Sequence, residues 1–320
     1  MSRLTFLLAT ALLAGIATGV AGQPSVVRTA DPAKRGLQAS DFPRTIKVVD
    51  NVYTYEDFHA GAEKFTTTNL FVVTGEGVLV ADGQGSPAET KGLVDAIARV
   101  TDKPITFVVI CSDHGDHTAG NASFPAGVTY IIHPTSKAIL DRSADAAARS
   151  GRGGIGWKLP ADAQLVSDRK TLTLGGDELQ ILFLGRAHTG GDLSVYLPRR
   201  KILFLSETYL NRVFPAMRSA YPNEWLRALD RAEAMKADIY IAGHGFTETG
   251  PVSREELRTY HKAVGAVIAE ATRLHEAGVP VDEAITQANW GEYRSWTLSS
   301  SQGPIAIRRV YEELNGQLRQ

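Results

Sequence analysis

The chain has 320 residues, 43% of them apolar and 22% charged, with a formal net charge of −1. That balance allows a sizeable packed core and gives no electrostatic reason to expect a nucleic acid or an anionic membrane as partner. A single cysteine, Cys111, excludes an intrachain disulfide, so stability must come from packing.

Residues 1–22, MSRLTFLLATALLAGIATGVAG, have the form of an export signal peptide. Arg3 supplies the charged start, Leu4 to Ile16 the apolar stretch, and Val20, Ala21 and Gly22 the small residues of a cleavage region. The apolar run is short for a membrane span, and no cysteine lies near the cleavage region to carry a lipid. The expected location is periplasmic or secreted, with no stable membrane association after cleavage. Residues 23–44 are polar and turn-rich and read as a loosely held arm. Residues 45–320 read as one domain that ends in helices.

Residues 45–58 have strand composition with an Asp50-Asn51 turn signal. Residues 59–66 are small and polar and resemble a hairpin tip able to cover a site, which makes His59 a candidate substrate contact. Residues 67–82 predict two strands around Gly75-Glu76-Gly77, the second ending in Asp82. Ser86-Pro87-Ala88-Glu89 has the form of a capping box with proline at the first helical position, so a helix should run to about Val100. The apolar, β-branched run 105–111 predicts a buried strand. Ser112-Asp113-His114-Gly115-Asp116-His117 follows at once. This puts imidazoles and carboxylates at the C-terminal end of a strand, where α/β proteins build their sites.

A strand at 128–132 and a helix at 134–149 come next. The glycine-rich stretch 150–160 reads either as a flexible lid or as a plain surface loop, with Trp157 a candidate apolar wall of a pocket. A hairpin at 171–184 runs into His188. Strands at 193–197 and 201–205 lead to Ser206-Glu207. A helix at 223–236 precedes a strand ending at His244, between two glycines. Helices at 253–277 and 304–318 complete the chain.

Asp82, the 112–117 cluster, His188, Glu207 and His244 thus all sit just past the end of an apolar strand. In a sandwich of sheets those ends can converge on one edge. A catalytic zinc site uses a few imidazole or carboxylate ligands and an open position for water. The candidates are His114, Asp116, His117, His188, Glu207 and His244.

This constellation resembles the metallo-β-lactamase superfamily over roughly residues 45–250. The family signature His-x-His-x-Asp-His is matched by Ser112-Asp113-His114-Gly115-Asp116-His117. Asp82 in VLVADGQG looks like the family's buried aspartate, His188 fits GRAHTGGDLSVYL, and His244 fits the GHG motif. Glu207 falls where an aspartate often bridges the metals. The resemblance implies an α/β (α+β) four-layer αββα sandwich. It also implies a metallo-hydrolase of a small-molecule substrate, cleaving an ester, thioester, lactone or amide bond, β-lactams included.

Two positions depart from the family pattern: Ser112 replaces the first histidine, and Glu207 is one methylene longer than aspartate. Asp116, His117 and His244 then imply one tightly bound zinc. His114, His188 and Glu207 imply a second that is weak or absent. By the same resemblance Asp116 orients a metal-bound hydroxide, and His114 or His188 relays protons. Asp82 holds the imidazoles or their loop by hydrogen bonds, while Ser112 fills space or binds a water. A non-catalytic protein with a degraded metal site and an iron-dependent oxidoreductase are the alternatives.

Overall fold

The structure, a computed structural model, describes residues 27–58, 65–150 and 157–318. The expected export signal, His59 and residues 151–156 of the glycine-rich stretch lie outside the described residues.

Two sheets form. The first runs β1 (Arg44–Val49), β2 (Val52–Phe58), β3 (Thr66–Val73), β4 (Val78–Ala81), β5 (Ile105–Ile110), β6 (Thr129–Ile132) and β7 (Gln164–Leu165), in spatial order identical to chain order. Its first four strands pair antiparallel and its last four parallel. The change follows from the connections. Short turns join β1 to β4, whereas helix α1 (Pro87–Val100) carries the chain back before β5. Ser86 starts that helix as expected, its hydroxyl accepting the Glu89 N–H at 3.2 Å. After β5 comes a one-turn helix, α2 (Gly115–Thr118), and α3 (Pro134–Ser150) links β6 to β7.

The second sheet has the order β12-β11-β10-β9-β8, from β8 (Arg169–Leu174), β9 (Asp177–Phe183), β10 (Leu193–Leu197), β11 (Ile202–Phe204) and β12 (Ile239–Ile241). Helices α4 (Pro222–Ala234), α5 (Gly250–Glu276), α6 (Val281–Gln287) and α7 (Ser299–Leu314) follow or interrupt it.

Strand alternation explains the layers. Leu70, Val72, Leu79, Ala81 and Val109 point to one face and pack on Leu179, Ile181, Val195 and Phe204 of the other sheet. The opposite face, with Phe71, Val80, Val108 and Ile110, packs on Leu93, Ala96 and Ile97 of α1. On the far side Leu203 and Tyr240 meet Trp225 and Leu229 of α4 and, with them, Leu257 and Val264 of α5. The order is therefore helix, sheet, sheet, helix, as the resemblance implies.

Three readings need correction. The described part of the arm is not loosely held. Ala30 is fully buried, Arg28 pairs with Glu255 and Glu256 of α5 at 2.9 and 3.2 Å, and Arg35 pairs with Glu248 at 2.7 Å. The charges that make the segment look solvated are the ones that dock it. The last helix begins at Ser299 rather than 304, because Pro304 lies inside it while Ser301 and Gln302 already donate to the Leu298 carbonyl. Helix α6, too short for a clear apolar period, was not expected. Among the described residues no helix is long and apolar enough to cross a membrane.

Candidate metal centre

The site forms where strand ends of the two sheets meet. After β4 the chain turns through Asp82 with φ +66°. The Asp82 Oδ1 accepts the Cys111 N–H at 2.7 Å, which fixes the exit of β5. His114 then caps α2, and this single turn brings Asp116 and His117 round to the same centre. From the second sheet, a loop closed by Thr189 N–H donating to Asp192 at 2.7 Å presents His188. A turn of 3₁₀ helix, Ser206–Thr208, presents Glu207. His244 lies between two glycines that only glycine can fill. A Cβ on Gly243 would lie 2.6 Å from the Ser206 carbonyl carbon, and one on Gly245, at φ +86°, 2.1 Å from the Asn211 carbonyl oxygen.

All six predicted ligands converge, in two groups that share Glu207. In one, His188 Nε2 is 3.0 Å from His114 Nδ1 and 3.1 Å from Glu207 Oε1, while His114 Nδ1 is 3.1 Å from Glu207 Oε2. In the other, His117 Nε2 and His244 Nε2 are 3.3 Å apart. His244 Nε2 lies 3.1 Å from Asp116 Oδ2 and 3.3 Å from Glu207 Oε1. Within each group the ligand atoms lie within 4.8 Å of one another.

The rings are held from behind. His244 Nδ1 is 3.0 Å from the Thr66 carbonyl oxygen, which leaves Nε2 for the centre. His117 Nδ1 is 3.2 Å from Asp82 Oδ2, close but off the N–H line, so this contact acts chiefly as one of charge. His114 Nε2 is 3.5 Å from Ser219 Oγ. His188 Nδ1 is buried without a hydrogen-bond partner. That ring is instead packed edge-on against Trp225, with centroids 5.4 Å apart, and the Trp225 indole N–H donates to the Thr208 carbonyl at 2.8 Å.

The electrostatics call for a cation. Glu207 is 3% exposed, and among the described residues no lysine or arginine pairs with it. Burial opposes its ionisation, yet the surrounding His188, His114 and His117 outweigh burial and hold its carboxyl well below the usual range. Burial likewise works against a charged His114 or His244. For His114 the field and hydrogen bond of Glu207 prevail and raise it to about 9; for His244, hydrogen bonds to Asp116 and Glu207 raise it to about 10. His188 shifts down, since there burial wins. Four inward imidazole nitrogens around the buried Glu207 and the partly exposed Asp116, balanced only by their own protons, are the donor set a divalent metal replaces protons on.

Ser112 neither fills space idly nor faces a free water position. Its hydroxyl donates to Glu207 Oε2 and accepts the His114 N–H at 3.3 Å. Trp157 lies elsewhere. It packs on Tyr130, with centroids 5.1 Å apart, in the layer between the first sheet and its helices, because Tyr130 and its neighbours leave an apolar surface there. A cleft of about 300 Å³ opens beside Asp116 and is lined by Phe58, Thr67, Gln84, Glu89 and Gly115. Ser206, Trp225 and the cleft residues were missed in the sequence. Only Ser206 carried a signal, its place beside Glu207 at a strand end.

A family model described as the metallo-beta-lactamase superfamily matches residues 64–244. The 2,4-dinitroanisole O-demethylase subunit alpha of Nocardioides sp. (strain JS1661) is 23% identical over 236 residues, 72% of this chain and 66% of that subunit, so the match spans just under two thirds of the relative. Among solved structures, a metallo-beta-lactamase from Pontibacter korlensis superposes with a TM-score of 0.58 at 22% identity, covering 69% of this chain and 98% of that one. A stereoselective inverting sec-alkylsulfatase from Pseudomonas sp. gives a TM-score of 0.63 at 16% identity, covering 84% of this chain and 50% of that one. These structural likenesses speak for the fold, and the family match covers more than half of the chain. The chain therefore belongs to the metallo-beta-lactamase superfamily, and its own His/Asp/Glu cluster classes it as a metallo-hydrolase.

Proposed function

We propose that the protein is an exported zinc-dependent hydrolase that cleaves an ester, thioester, lactone or amide bond in a small molecule. The observation that carries this reading is the sharing of Glu207 between two nitrogen-rich groups in a buried centre with an adjoining cleft. Asp116, His117 and His244 would hold zinc tightly, and His114, His188 and Glu207 would hold a second ion more weakly. When bound, zinc supplies Lewis acidity and a water acidified toward pH 7.

The protein's own residues do the rest. The Asp116 side chain is 21% exposed and lines the cleft, so it is the carboxylate placed to orient a nucleophile toward a substrate there. His114, 13% exposed at its side chain, is the imidazole best placed to pass a proton to a leaving group. Gln84 and Thr67 offer polar contacts on the cleft wall and Phe58 an apolar one. Export rests on the first 22 residues alone.

Elemental analysis of the purified protein, followed by a hydrolysis screen, tests the reading. The activities of the similar proteins add β-lactams, secondary alkyl sulfates and 2,4-dinitroanisole to the ester, thioester and lactone panel. Bound zinc with turnover that chelation abolishes supports it. Bound iron with oxygen consumption, or metal with no turnover on any of these, refutes it.

A further inference from the structure

We propose that Ser112 and Glu207 form one functional unit, in which the longer carboxylate occupies the room left by an absent imidazole and Ser112 positions it. The inference rests on the metal-binding part of the proposed function. It replaces the picture of two independent losses with that of one exchange.

Ser112 is fully buried, and its Oγ donates to Glu207 Oε2. An imidazole on residue 112 would have to extend through the space that this carboxylate oxygen fills. Conversely, an aspartate at 207 would end about 1.5 Å short, one C–C bond length. It would then leave Ser112 and His114 without the oxygen that both now face.

The hydroxyl suits the task because it donates and accepts together. It accepts the His114 N–H at 3.3 Å while giving its proton to Glu207. Behind it, the Ser112 N–H points to Asp82 Oδ1 at 3.4 Å. Ser112 is therefore a positioning residue rather than a ligand. It turns Glu207 so that Oε2 faces His114 and Oε1 faces His188 and His244. On this reading the group of His114, His188 and Glu207 is a rebuilt three-donor site with one position open.

The test is calorimetric titration of the metal-free full chain with zinc alone, with circular dichroism to confirm that each variant is folded. The natural protein should take up two zinc ions in a tight and a weaker step. Glu207→Asp should weaken the weaker step at least tenfold, and Ser112→Ala about threefold to tenfold. Ser112→His alone should also weaken it, because ring and carboxylate compete for one space. The double variant S112H/E207D should bind better than either single change. That crossover is not expected of a merely structural serine.

Strengthening of the weaker step by Ser112→His alone would overturn the proposal, as would natural affinity in Glu207→Asp. In both cases the tight step persists, so the wider metal-binding reading survives. Absence of the weaker step alone in the natural protein would overturn the proposal, and absence of both steps would overturn the wider reading as well.

Discussion

Asp82→Asn separates the support of the site from the site itself. Asp82 is fully buried, and beside the longer contact with the Ser112 N–H its carboxylate makes three close ones. Oδ1 accepts the Cys111 N–H at 2.7 Å, while Oδ2 accepts the Ser206 hydroxyl at 2.6 Å and lies 3.2 Å from His117 Nδ1. Asparagine keeps the shape and tolerates the φ of +66°. Its carbonyl oxygen must stay on the Cys111 N–H, since the amide group there would set donor against donor. The NH₂ then faces Ser206, which can rotate to accept, and His117, which cannot without moving its proton from Nδ1 to Nε2. A proton on Nε2 occupies the electron pair that a metal needs.

The expected loss is tenfold to a hundredfold in zinc affinity, about 1.4–2.7 kcal/mol. The metal-free fold should lose only about 1 kcal/mol, one exchanged hydrogen bond. Chelator competition reads the first number and urea unfolding of the metal-free protein the second. Zinc affinity within twofold of the natural protein would refute the reasoning.

Asp116→Ala should remove the tight zinc step and turnover together; retained activity would show that Asp116 is not part of the working site. In metal-free protein His114 and His244 hold their protons to about 9 and 10, above their ordinary value. The stability they contribute is complete below about pH 6.5 and is lost as pH rises through 9–10. The melting temperature in chelator should therefore fall over that window, while zinc affinity rises as protons cease to compete, and a flat profile would contradict the assignment. Glu256→Ala should cost about 2 kcal/mol in urea unfolding, because Arg212 and Arg28 lose the buried carboxylate they share. The figure is reduced from that for a wholly buried pair because both arginines reach solvent.

The six candidate ligands were legible because each stands at a strand end, in a sequence context with few other uses. Strand and helix types were legible for a related reason: alternation in Leu70-Phe71-Val72 and the cap at Ser86 are local signals. Trp157 was misplaced because an aromatic residue beside glycines reads the same whether it faces a cleft or a helix layer. Its partner Tyr130 is remote in sequence. The docked arm was illegible for the opposite reason, since Arg28 and Arg35 look solvated until α5 supplies Glu255 and Glu256 and the loop before it Glu248. The relation of Ser112 to Glu207 spans 95 residues and appears only when the two sheets close.

That closure has its own physical signature. Asp82 and Ser206 are both non-glycine residues with positive φ, +66° and +46°. Each such conformation costs of order 1–3 kcal/mol and persists only where the surroundings over-determine it. Here they do. Asp82 N–H is tied to the Val109 carbonyl at 2.8 Å, the Ser206 carbonyl accepts the Gly243 N–H at 2.8 Å, and the two side chains bond to each other. One residue ends a strand of the first sheet and the other follows a strand of the second, so this bond joins the sheets directly beneath the site. Ser206 immediately precedes Glu207, and Asp82 lies behind His117. Pinning the pair therefore sets the distance between the shared carboxylate and the His117 imidazole, 3.9 Å from Nε2 to Glu207 Oε1. The strain at the two strand ends and the spacing of the metal ligands are consequences of the same junction, and changes to either residue should register first in metal affinity.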